Sequence, residues 1–162
     1  MKRDAVLFLT LFAVFSANGL SQVSEKDSVI QTAKSQISLF IKDLPDGSLS
    51  DYGFLNREEF GKVDFGPPIP VYTLKDSVVV FTSTWRVPVV IGMEYRSLLT
   101  VIKENDTFRA VDFGAAELAK AYQTGKTPKT IGLLRVYEIK SDFLIERSVD
   151  GNQSFMPIKF NR

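Results

Sequence analysis

Cysteine and histidine are both absent from this chain. Without a thiol there is no disulfide, no thiolate nucleophile and no attachment point for the lipid anchor of a bacterial lipoprotein. Without an imidazole the commonest general base and the usual zinc ligand are missing, and every Ser-His-Asp or Cys-His arrangement goes with them. What survives is carboxylate, hydroxyl and lysine chemistry. An excess of one charge is missing too: 20 basic residues face 19 acidic ones, and the difference vanishes once Lys2, Arg3 and Asp4 are set aside. Nucleic-acid binders carry a basic excess, so no nucleic-acid partner is expected. Low-complexity linkers are also lacking, which leaves one domain with one core.

Long apolar runs are scarce, and the longest is at the start. Ala5 to Phe15 follows the basic pair Lys2 and Arg3 and precedes the small residues Ser16, Ala17, Gly19 and Ser21. A basic start, an apolar run and a small-residue site make the plan of a secretory signal peptide, and the run is too short for a spanning helix. The expectation is a signal over residues 1–21, cleaved after Ala17, Gly19 or Ser21, followed by a single domain over 22–162. Membrane contact is then limited to the signal segment before cleavage. An exported domain without disulfides fits a bacterial setting, periplasmic or secreted, better than an animal secretion.

Periodicity sets the fold class. From Ser24 to Leu44, the residues Val29, Ile30, Ala33, Ile37, Phe40 and Ile41 fall on one stripe of a helix, which Pro45-Asp46-Gly47 should stop. Asn56 is placed to cap a short helical turn through Phe60. Beyond Pro67 the segments PIPVYTL, SVVVFTSTW, VPVVI, EYRSLLTVIKE and TFRAVDF are rich in branched and aromatic residues and read as strands. Asp76-Ser77, Gly92-Met93 and Asn105-Asp106 are turns too short for anything but antiparallel neighbours. A second helix, GAAELAKAYQTG, should end at Gly125 in a left-handed cap, with Asp112 helping to cap its start. LLRVYEI, FLIERSV and QSFMPIKF complete the sheet, and Pro157 marks the last strand as an edge. The expected fold is α+β, with both helices over one face of a curved antiparallel sheet of about six to eight strands. In outline this resembles the cystatin-type arrangement, also seen in protease propeptides. The cystatin wedge motif QxVxG is absent from the chain.

Short motifs add little chemistry. Val-Asp-Phe-Gly occurs at Val63–Gly66 and at Val111–Gly114, but the other parts of a kinase site are missing. The copies are not a duplication either, because the first leads into a strand and the second into a helix. Gly125-Lys126-Thr127 is the tail of a phosphate loop whose first glycine is replaced by Lys120. ENDT and VDGNQS lack the spacing of a calcium loop. Glu58, Glu59, Glu94, Asp142 and Glu146 are the acids that a carboxylate hydrolase would have to pair. The residues best suited to contact a partner are Tyr52, Phe54, Trp85, Arg86 and Tyr95, together with the loop cations Lys126 and Lys129. The functional expectation is an exported, noncatalytic binding module, inhibitor-like or propeptide-like, that engages a protein and needs no cofactor or metal. The alternative is a small envelope hydrolase with paired carboxylates. A pocket for a small apolar ligand in the sheet is a third possibility.

Overall fold

The computed structural model describes residues 15–159, with side chains from residue 25 onward, so most of the expected signal segment lies outside the described residues. The apolar stripe behaves as its spacing predicts. In helix α1 (Phe15–Gln36), Val29 and Ala33 are fully buried, and Ile37, Ile41 and Leu44 continue the buried line through the short helix α2 (Ser38–Ile41). Pro45 ends the helix, and a 3-10 helix, Asp46–Tyr52, follows at once. Gly53 closes it at φ 83°, where an added Cβ would sit 2.0 Å from the Arg96 carbonyl oxygen. Only glycine fits both the backbone angle and that approach. A second 3-10 helix, Arg57–Lys62, starts after Asn56, which makes no side-chain cap. Glu59, in its first turn, reaches back across that start, its Oε2 accepting the Leu55 N–H at 2.7 Å.

The strands are β1 (Asp64–Phe65), β2 (Ile69–Lys75), β3 (Val78–Ile91), β4 (Glu94–Glu104), β5 (Thr107–Gly114), β6 (Thr130–Val136), β7 (Ser141–Arg147) and β8 (Gln153–Pro157). Helix α3 (Ala116–Gly125) lies between β5 and β6. Asp76 and Ser77, and again Asn105 and Asp106, have positive φ at both turn positions, the twist that tight hairpins require. The segments SVVVFTSTW and VPVVI, expected as two strands, are one. Pro88 is tolerated inside it because its backbone faces the two-residue β1, where its carbonyl accepts the Gly66 N–H at 2.8 Å and no further donor is needed.

The sheet order is β5-β4-β3-β2-β6-β7-β8, with β1 paired to β3. Every neighbouring pair is antiparallel except β2 and β6. After β5 the chain stands at one edge, and α3 supplies the long return that a parallel partner needs. The two longer helices do not share a face, contrary to the sequence expectation. Leu98 and Leu99 are consecutive in β4 and both wholly buried, yet Leu99 joins the core with α1 while Leu98 joins the core with α3. Successive strand residues point to opposite faces, so each face carries one helix.

Two cap expectations also change. Ala115 precedes α3 in a left-handed conformation without a side-chain cap, and the Asp112 carboxylate accepts from Arg86 instead. Gly125 ends α3 without left-handed geometry, and an added Cβ there would meet Leu144 at 3.0 Å. Pro157 does lie in an edge strand. Ile158 N–H donates to the Asp142 carbonyl, so the neighbouring Pro157 has its missing donor on the open side. No helix among the described residues is long and apolar enough to cross a membrane.

Candidate functional site

One helix cannot cover one face of this sheet. A helix about 10 Å across spans two or three strands set about 4.8 Å apart. Helix α1 lies over β5, β3 and β4, and the same face then continues across β2, β6, β7 and β8. Trp85 marks the boundary. Its ring packs on Phe108 at 5.6 Å on the covered side and on Phe81 at 5.0 Å on the other, and Phe81 meets Tyr72 at 5.6 Å.

Register carries the apolar surface outward from there. Phe81 pairs with Tyr72, Tyr72 with Leu134, and Leu134 with Phe143, while Ile145 pairs with Phe155. Leu134, Val136 and Ile145 are buried by their strand neighbours, in a cluster that takes no helical residue among the described ones. Tyr72, Val79, Ile131 and Phe143 are half-buried around them. Phe81 and Phe155 remain 40% and 42% exposed. The result is an apolar surface that starts under α1 and emerges into solvent, rimmed by two phenylalanines.

The residues singled out from sequence are placed differently. Phe54 and Trp85 are core residues, 1% and 3% exposed. Tyr52 stacks on Phe113 at 5.7 Å. Tyr95 is buried on the other face, stacked on Tyr122 at 6.5 Å. Lys126 donates to the Tyr95 hydroxyl at 2.6 Å and lies 4.2 Å from its ring centre. The four aromatics therefore make no common exposed surface, because α1 and the 3-10 helices close over Phe54 and Trp85, and α3 closes over Tyr95. Arg86 projects from the face opposite Trp85, towards Thr100 and Asp112, and Lys129 is exposed in the loop after α3.

The acids are held in structural contacts. Glu59 also pairs with Arg96 at 3.4 Å, Glu94 reaches Arg96 at 3.1 Å, Asp142 pairs with Arg135 at 3.1 Å, and Glu146 accepts from Thr127. Glu58 is exposed. No group of three or more potential metal-ligating side chains occurs among the described residues.

Sequence reasoning missed Phe81, Tyr72, Phe143 and Phe155. A signal was present: Val79, Phe81 and Trp85 alternate on one face of a strand, and the chain offers few helical residues to cover so many strands. No family model matches the chain, and neither curated proteins nor solved structures provide a match.

Proposed function

We propose that this protein is an exported, noncatalytic binding module that engages a protein partner through the uncovered face of β2, β6, β7 and β8, in the manner of an inhibitor-like or propeptide-like domain. The observation that carries the reading is the cluster of Leu134, Val136 and Ile145, which no helical residue joins among the described ones, with Phe81 and Phe155 exposed at its rim. Exposed aromatics beside a well-packed apolar floor are the usual anchors of a protein interface. The absence of histidine and cysteine and the near-zero net charge agree with recognition by apolar contact. The proposed occupant is a protein segment presenting apolar side chains that match Phe81, Phe155 and the apolar floor between them.

The test is site-specific photo-crosslinking in the producing cell. A photoreactive residue at position 81 should give one discrete protein adduct. The same residue at Leu55, which is 73% exposed in the segment between the two 3-10 helices, should not. Equal labelling from both positions, or hydrolysis of a glycan panel by the purified protein, overturns the proposal.

A further inference from the structure

On the opposite face, α3 leaves part of the sheet open beyond Leu118, and a cleft of about 210 Å³ lies there over β2, β3, β4, β6 and β7. Its polar lining includes Thr82, Thr84, Arg86, Thr100, Arg135 and Asp142. Register explains the grouping: Arg86 pairs with Thr100 and Thr100 with Asp112, while Thr73 pairs with Arg135 and Arg135 with Asp142. Two arginines from separate strands thus line one cleft together with Asp142. The Asp142 side chain is only 10% exposed, Arg86 19% and Arg135 35%. Burial raises the Asp142 carboxyl above its ordinary range, and the charges of Arg135 and Arg86 both oppose that rise.

The arginines keep donors in reserve. Among the described residues, Arg86 bonds through Nη1 alone, to Thr100 and to Asp112 at 3.3 Å. Arg135 also uses Nη1 alone, for both oxygens of Asp142 at 3.4 and 3.1 Å. Each planar guanidinium retains Nε and Nη2, a fork suited to a carboxylate. Thr82 donates its hydroxyl proton to the Val71 carbonyl and Thr84 donates to the Thr82 carbonyl, which leaves hydroxyl lone pairs as acceptors.

The rest of the lining selects within the anions. Val71, Ile102, Leu118 and Leu133 are apolar, so a bare phosphate or sulfate would leave half the cleft unfilled. At a liquid volume of about 30 Å³ per water, the cleft is equivalent to about seven waters, enough for a short carbon chain and its head group.

We infer that this cleft binds a small organic carboxylate, with Arg86 and Arg135 holding the head group and Val71, Ile102, Leu118 and Leu133 taking the carbon body. The site is independent of the proposed protein interface, which lies on the other face of the sheet.

The experiment is titration of the purified protein with butyrate, followed by amide chemical shifts. Saturable shifts at Thr84, Arg86, Leu133 and Asp142 are expected, with a dissociation constant on the order of 1 mM. Acetate should bind more weakly, and butanol and inorganic phosphate should bind far less. The paired variant Arg135→Gln Asp142→Asn removes the cation without stranding the buried acid and should weaken butyrate by roughly tenfold. Lys140→Gln, in the β6–β7 turn, should leave it unchanged. Linear, unsaturable shifts, phosphate binding equal to butyrate, or full affinity in the paired variant would overturn the assignment.

Discussion

Trp85 and Ile145 lie on the same face of the same sheet and are 3% and 1% exposed, yet they are buried by different means. Trp85 belongs to a core that α1 closes with Val29 and Ala33, and Ile37 follows at the junction with α2. Among the described residues, Ile145 is covered by side chains from its own and neighbouring strands, with Phe143 and Ile131 among them. In the first case, apolar surface is removed from water by a second layer. In the second, the sheet shields its centre and leaves Phe81 and Phe155 part-exposed at the margin. One half of the face is finished as a core, while the other has the composition of a core and the exposure of an interface.

The comparison can be broken by substitution, and the largest effect belongs to the covered half. Trp85→Ala should lower unfolding stability by about 3–5 kcal/mol, because α1 and the sheet cannot both collapse into the space. Urea denaturation measures this, and a loss near that of a surface substitution would mean that α1 does not close over Trp85. Helix α3 gives the same test on the opposite face through pH. Burial, together with Tyr95, pushes the Tyr122 hydroxyl up to about 12 from an ordinary value near 10. The folded state therefore holds that proton more tightly than the unfolded chain. Its stabilising contribution is full below about pH 10 and is lost as pH rises through about 12. Stability measured against pH should fall across that window, and Tyr122→Phe should flatten the fall. The smallest effect is expected at the open rim, where Phe155→Ala should cost less than about 1 kcal/mol. A loss as large as that at Trp85 would show that the rim is core.

Much of this architecture was legible because local rules decided it. Val29, Ala33, Ile37 and Ile41 announced the buried stripe of α1 and α2 by spacing, and Asp76-Ser77 and Asn105-Asp106 announced hairpins by their tolerance of positive φ. Pro157 marked an edge for the same local reason. What failed depended on partners distant in sequence. Pro88 looked like a break between strands because nothing nearby reveals that β1 is too short to demand its missing donor. The parallel pairing of β2 with β6, and with it the placement of α3 on the opposite face from α1, is set by the return path of α3. Leu98-Leu99 carried a hint of it, since consecutive apolar residues in a strand imply burial on both faces. Trp85 and Phe81 shared one alternating pattern, but only the reach of α1 separates the core residue from the rim residue. The two Val-Asp-Phe-Gly stretches meet different fates for the same reason: Asp64-Phe65 becomes β1, while Asp112 ends as a partner of Arg86.

The most direct test of the uncovered face combines one variant with two readouts. Phe81→Asp Phe155→Asp places charge on the apolar rim without entering the core, so its urea midpoint should stay close to that of the parent protein. Its affinity for the partner identified by crosslinking should fall at least roughly tenfold, the loss expected when aromatic contact residues are replaced by charge. Unchanged affinity in a folded variant would contradict the account and return the exposed phenylalanines to ordinary surface.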